Sequence, residues 1–258
     1  MLEDPQRTPN SKNDGDNFPH LYSTVNSNKN LINQAQGLVG YWSFDEGSGN
    51  IARDYSGNGN NLTIGAIGSN VIWDSGKIGT ALNYLPSAKT ATTPCPTGAY
   101  SSSISSGPIY NLPQGNYTFI AFVKLNAGGA IAKFDTQYSV PGWFAGHWHT
   151  HDAHYISRSD NTNGGIAHGS LPIDNQWHQY AYVFNLSSGI QKAFTDGVQK
   201  NSGSLTGSFG NISRLHFGIY DVYWCGAGHA ITGLIDEVRI YNRALSDSEI
   251  KALYEATK

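Results

Sequence analysis

From Gly37 onward, short apolar stretches alternate with clusters of Gly, Asn, Ser and Asp. The stretches are LVGYWSF, NLTIG, TALNYL, YTFIAFVKL, AIAKF, WFAGHWH, HYISR, WHQYAYVFNL, IQKAFTD, RLHFGIY and LIDEVRIY. Each is short and bounded by turn formers, so a many-stranded sandwich or barrel is expected. Strand residues alternate between faces. In YTFIAFVKL, Tyr117, Phe119, Ala121 and Val123 share one face, while Thr118, Ile120, Phe122 and Lys124 share the other. Both faces are largely apolar, which predicts a central strand. In DEVRIY, Val238 and Ile240 face inward and alternate with Glu237, Arg239 and Tyr241, which predicts a strand with one half-exposed face. Helical spacing appears only in SDSEIKALYEA, where Ser246 and Glu249 have the spacing of a capping box and Ile250, Leu253 and Tyr254 fall on one side. A short terminal helix laid on the sandwich follows from this.

Residues 1–36 break the pattern. They are polar and Asn-rich, and read as a linker, a stalk-proximal segment or vector sequence. Residues 37–258 read as one β-sandwich domain without internal repeats.

Only 14% of residues are charged and the net charge is −3, so there is no basic footprint for nucleic acid. No apolar run approaches the ~20 residues that span a bilayer, so membrane insertion is not expected. The opening MLEDPQRTPNSKNDGDNFP has no apolar leader, as in a secreted protein from which the leader has been removed. Cys95 in PCPTG and Cys225 in WCGAG form a disulfide in an oxidising compartment or remain two unrelated thiols. Sequons begin at Asn61, Asn116, Asn185 and Asn211.

Three segments carry a family resemblance. GLVGYWSFDEGSGNIARDYSGNGNNLT resembles the opening strands of laminin-G-like domains of the concanavalin A-like lectin/glucanase superfamily. WHQYAYVFNLSSGIQKAFTDGV is similar to the family's strand pair with "WH" and "DG" signatures, although Phe194 and Thr195 stand where Tyr and Val are more usual. GLIDEVRIYNRALSDSEIKALY is similar to its closing strand and helix. The resemblance implies an all-β, two-sheet antiparallel jelly-roll sandwich with a short C-terminal helix, its first and last strands paired in one sheet. That pairing would bring Asp236 near Asp45. A fold shared by lectins, adhesion modules and glycan-cleaving enzymes does not by itself fix an activity.

Three places hold candidate chemistry. In DYSGNGNN, Asp54, Asn58 and Asn60 put hard oxygen ligands on a Gly-rich loop. A structural Ca2+ is the cofactor to test there, with Asp45 and Asp236 as further ligands if the terminal strands pair. Ordinary Asx-turn bonding is the competing reading. In AGHWHTHDAHY, four of the nine histidines occupy eight positions. Strands Trp143–His149 and His154–Arg158 around a turn at 150–153 would set His147 and His149 on one face and return His154 across the hairpin. Three imidazoles could hold zinc, with Asp135 or Asp152 behind them, but Zn2+ is not the expected occupant; a sugar-facing polar surface is favoured. In DVYWCGAGH, Tyr223 and Trp224 make an aromatic loop tip suited to stacking on pyranose rings. Trp143, Tyr155 and Tyr138 are further platform residues, whereas Trp42 and Trp177 are assigned to the core.

Glycoside hydrolysis commonly requires two carboxylates flanking the scissile bond, and no E-x-D-x-x-E run is present. A polysaccharide lyase would use His and Tyr for proton abstraction beside an Arg, roles open to His147, His149, His154, Tyr155 and Arg158. No G-x-S-x-G element occurs. The expectation is therefore a non-catalytic, secreted or cell-surface glycan-binding module for adhesion or targeting. Trp143, His147, His149, His154, Tyr155, Tyr223 and Trp224 would line its site, and a catalytic or surface-anchoring domain would be attached to it. A lyase or a structural module of a surface filament are the alternatives.

Overall fold

A computed structural model describes residues 36–64, 71–85, 104–105, 115–127, 130–136, 143–147, 154–158, 166–167, 172–205, 212–218 and 231–258. In chain order the strands begin β1 (Leu38–Trp42), β2 (Ile51–Ala52), β3 (Leu62–Ile64), β4 (Val71–Ser75), β5 (Thr80–Tyr84), β6 (Ile104–Ser105), β7 (Tyr117–Ala127) and β8 (Ala130–Thr136). They continue with β9 (Trp143–His147), β10 (His154–Arg158), β11 (Ile166–Ala167), β12 (Trp177–Asn185), β13 (Ile190–Thr195), β14 (Val198–Ser204), β15 (Ile212–Phe217) and β16 (Thr232–Tyr241). One helix, α1 (Asp247–Ala256), follows.

Two antiparallel sheets make the jelly-roll sandwich. The larger runs β14-β13-β12-β7-β16-β5-β4, with β1 also paired to β16. The second runs β11-β10-β9-β8-β15, and a small sheet β2-β3-β6 stands apart. Between the layers, Phe119 sits 5.7 Å edge-on from Phe134 and 6.1 Å from Phe217, and Trp42 lies 5.7 Å from Phe217. Tyr117, Phe119, Ala121 and Val123 all belong to this core, while Ile120 belongs to a second cluster with Ala181, Val183, Phe194, Leu245, Ile250 and Leu253. Strand β7 is therefore covered on both faces, as its sequence predicts. The cover on the outer face is α1. Its Ser246 hydroxyl accepts from the Glu249 amide, and the Ser246 amide donates to Glu249 Oε2 at 2.8 Å. Ile250 and Leu253 are buried, and Tyr254 is partly so. Trp177, expected in the core, is only half-buried because it begins β12.

The WH and DG signatures turn out to be one device. Asp196 and Gly197 form the two-residue loop between β13 and β14, with φ of 52° and 72°. Positive φ at both positions is the type I′ geometry that suits strand twist. The Asp196 carboxylate accepts from the Gln179 amide at 2.9 Å and meets His178 Nδ1 at 2.7 Å. A Cβ on Gly197 would come within 3.1 Å of the Lys251 Cα, so the helix rests directly on this turn.

One strand departs from expectation. All ten residues of β16 are buried, including Glu237, Arg239 and Tyr241. The alternation does place Val238 and Ile240 in the core, but the opposite face is covered rather than half-exposed. The reason is position: β16 lies between β7 on one side and β5, then β1, on the other. Its charges are met internally. Arg239 Nη2 donates to Glu237 Oε2, the Tyr41 hydroxyl donates to Glu237 Oε1 at 3.0 Å, and the guanidinium lies 4.4 Å from the Tyr41 ring centre. A buried ion pair broken on one side leaves an uncompensated charge, at a cost of ~3–5 kcal/mol. Glu237→Ala should lower the urea-unfolding free energy by about that amount. Tyr41→Phe keeps the ion pair and loses one charged hydrogen bond, about 1.5–3 kcal/mol. Equal losses for the two variants would contradict this ordering.

Candidate functional site

Strand β16 changes partners halfway. Ile235 pairs with Leu82 of β5, whereas Val238 pairs with Trp42 of β1. Between them the register against β7 shifts at Asp236–Arg239, and Glu237 has φ of 52°. This bulge marks the gap where β1 has ended and β5 has not begun. Asp45 and Asp236 close it, as the predicted pairing of the terminal strands requires. Asp236 Oδ2 accepts from the Lys77 and Ile78 amides at 2.8 and 3.1 Å, and Asp45 Oδ1 accepts from the Thr80 amide at 3.0 Å. A side chain at Gly79, which has φ of 56°, would put its Cβ 1.9 Å from Asp45 Oδ1. Both carboxylates thus serve the 76–80 turn.

The other three metal candidates gather around β1. Asp54 Oδ1 accepts from the Tyr41 and Ser56 amides at 3.0 and 2.8 Å, and Oδ2 accepts from the Asn60 amide at 2.8 Å. Asn58 and Asn60 donate through Nδ2 to the carbonyls of Leu38 and Val39, at 3.1 and 2.7 Å. The five residues therefore serve two different loops. A calcium ion requires converging oxygen ligands, but Asp54 is surrounded by N–H donors. This donor set does not fit the ion, and the Asx-turn chemistry accounts for the loop without it.

The hairpin candidates lie on the second sheet. Among the described residues β9 covers Trp143–His147 and β10 covers His154–Arg158, and the expected extension of β9 to His149 lies outside them. The two pair antiparallel, and His147 is the direct cross-strand partner of His154. The return of His154 across the hairpin is therefore met in the backbone register. Further rows pair Ala145 with Ile156 and Trp143 with Arg158, while Tyr155 pairs with Gly146. Because strand residues alternate between sides, Trp143, His147 and His154 belong to one set and Tyr155 to the other. On its other edge β9 pairs with β8, Ala145 with Ala132 and Trp143 with Phe134. Among the described residues, His147 and His154 form the last row of the hairpin. His149, Tyr138, Asp152, Tyr223, Trp224, Cys95 and Cys225 lie outside the described residues, and with the two cysteines the disulfide.

The sequence reading passed over one charged constellation. His178 Nε2 lies 3.3 Å from both Asp174 oxygens, in addition to its contact with Asp196. The Asp174 carboxyl is held below its ordinary range: a small burial penalty is outweighed by the Gln176 amide and by His178. The WH and DG motifs signalled part of this arrangement, but Asp174 carries no motif.

This architecture defines a lectin-type sandwich, and comparison with known proteins agrees. Residues 97–251 match the laminin-G-like model of the concanavalin A-like lectin/glucanases superfamily, and the chain belongs to that superfamily. No curated protein sequence matches it significantly. Among solved structures, it resembles domain 4 of AbnA, a GH43 extracellular arabinanase from Geobacillus stearothermophilus in complex with arabinotriose. The identity is 21% and the TM-score 0.59, covering 84% of this chain and 98% of that domain. It also resembles the binding domain of Paraclostridial Mosquitocidal Protein 1, at 16% identity and TM-score 0.63, covering 86% of this chain and 52% of that one. The botulinum neurotoxin type G receptor binding domain matches at 14% identity and TM-score 0.61, with 85% and 51% covered. The chain thus spans nearly all of the arabinanase domain but about half of each toxin domain. At these identities the likeness is one of fold. No helix among the described residues is long and apolar enough to cross a membrane.

Two measurements follow from the carboxylates. Burial, and then the neighbouring Glu237, push the Asp236 carboxyl up to about 8, against the pull of three backbone amides. A folded-state value above the unfolded one favours the fold most in acid, and that contribution is lost as pH rises through about 8. Melting curves of wild type should therefore lose stability between pH 4 and 8 relative to Asp236→Asn, whose profile should be flatter over that range; parallel profiles would contradict it. For the 54–61 loop, adding Ca2+ or a chelator should leave the melting midpoint unchanged. Asp54→Ala should destabilise by about 1–3 kcal/mol, because it strands three partly buried N–H donors.

Proposed function

We propose that this chain is a lectin-like module, secreted or displayed at a cell surface, that binds a glycan or glycoconjugate. It would serve adhesion, or the targeting of an attached catalytic or surface-anchoring domain. The observation that carries the reading is the His147–His154 register pair of the second sheet, in a chain of the concanavalin A-like superfamily. A neutral imidazole both donates and accepts hydrogen bonds, which matches the dual character of a sugar hydroxyl. Ring atoms of an aromatic loop supply the apolar half of such recognition, a role assigned to Tyr223 and Trp224, with Trp143 and His149 as further lining. The likeness to a domain solved with arabinotriose and to toxin receptor-binding domains supports the reading.

The lyase alternative needs a His and a Tyr converging on one proton. The register sets Tyr155 apart from His147, His154 and Arg158, which favours binding over catalysis. A glycan screen on the whole chain tests this. A bound glycan is expected, and His147→Ala with His154→Ala should weaken its binding about tenfold or more, ~1.4 kcal/mol. Retained binding in that pair, with loss on Trp224→Ala, would move the site to the aromatic loop. Unsaturated product absorbing in the ultraviolet on uronate polymers would establish a lyase instead.

A further inference from the structure

Asn-x-Ser/Thr motifs are acceptors for N-linked glycans when they lie on the surface of a secreted protein. The fold treats three of the four motifs differently; the fourth begins at Asn211, which lies outside the described residues. At Asn116 the motif's hydroxyl is Thr118, which is fully buried. It donates to the Arg243 carbonyl at 2.8 Å and accepts from the Leu245 amide at 2.9 Å. Asn116 itself is half-buried, and its Oδ1 accepts from the amide and hydroxyl of Ser187. That same Ser187 is the hydroxyl residue of the motif at Asn185. Asn185 is also half-buried, and its Oδ1 accepts from the Ser188 amide at 3.1 Å. The motifs at 116 and 185 are thus tied into each other and into the chain's closing segment.

The motif Asn61-Leu62-Thr63 is different. Asn61 and Thr63 are both exposed, while Leu62 between them is buried and anchors the segment. The Asn61 Oδ1 accepts from the Asp54 amide at 2.9 Å. This orients the side-chain amide while leaving Nδ2 without a hydrogen bond to any described residue. The attachment chemistry requires that atom.

We infer that Asn61 is an attachment site for an N-linked oligosaccharide. The inference rests on the reading above only in that the chain must be exported to meet the enzyme. In the transfer, the Asn61 Nδ2 bonds to the sugar C1 of a lipid-pyrophosphate-linked oligosaccharide. The C1–oxygen bond breaks, the lipid pyrophosphate departs, and the amide loses one proton. Oδ1 is unchanged, so its bond from the Asp54 amide persists in the product, and the sugar is carried outward from a braced loop.

The test is to incubate the folded chain with an oligosaccharyltransferase and a lipid-linked oligosaccharide, with a short acceptor peptide as the activity control. Sites are then mapped by peptide mass spectrometry. Modification at Asn61, with Asn116 and Asn185 bare, is expected. Asn61→Gln should abolish it. So should Thr63→Ala, which removes the motif's hydroxyl while keeping the Asn61–Asp54 bond. A bare Asn61 beside a modified control peptide, or equal modification of Asn116, overturns the inference. Neither outcome depends on whether the protein binds sugar, so the lectin reading stands or falls separately.

Discussion

Burying Glu237 would cost several kcal/mol if its charge were unmet, and the manner in which it is met organises the larger sheet. Arg239 supplies the countercharge from two residues along the same strand, and Tyr41 supplies a hydroxyl from the first strand. The first strand can dock beside the last only where that hydroxyl reaches the carboxylate. Once β1 is fixed, Trp42 enters the core against Phe217, and the second sheet gains a surface to pack on. The left-handed backbone at Glu237 is the cost of that arrangement, since a non-glycine residue is uncommon there.

The two acidic neighbours illustrate how one residue type serves different ends. Glu237 is neutralised by an arginine. Asp236 accepts from backbone amides and is pushed toward its neutral form by burial and then by Glu237. Asp54, nearer solvent, organises a turn by accepting three amides. A carboxylate in a Gly-rich loop reads in sequence as a metal ligand or as a turn brace with equal ease, because both roles require the same short, oxygen-bearing side chain. Which groups converge on it decides between them, and those groups, such as the Tyr41 amide, lie far off in the chain.

Period-two alternation made β7 legible, because its two faces are both apolar and both buried. The capping box of α1 was legible for a similar reason: every partner lies within four residues. Five strands escaped: β2, β6 and β11, which at two residues each are too short to show a period, and two longer ones. β14 reads VQKNSGS and is mostly exposed, so it has no apolar row to reveal it. β4 has only Val71 fully buried. The outer face of β16 misled because charged residues normally mark solvent, and nothing local to DEVRIY indicates that Tyr41 arrives to cover it. The hairpin was legible in its described part, including the pairing of His154 with His147. That Tyr155 falls in the opposite set became clear only with the register, since a one-residue shift exchanges the sides.

The pairing of Leu38–Trp42 with Val238–Tyr241 also bears on when the molecule can acquire its structure. Contacts between such distant parts of a chain form late, because a long loop must be closed before they repay the lost entropy. A polypeptide emerging from the ribosome holds Leu38–Trp42 idle until Val238–Tyr241 has been made. Until then Trp42 has no seat and the interlayer surface stays open. The stretch between them cannot lock until both of the strands that clasp it are present.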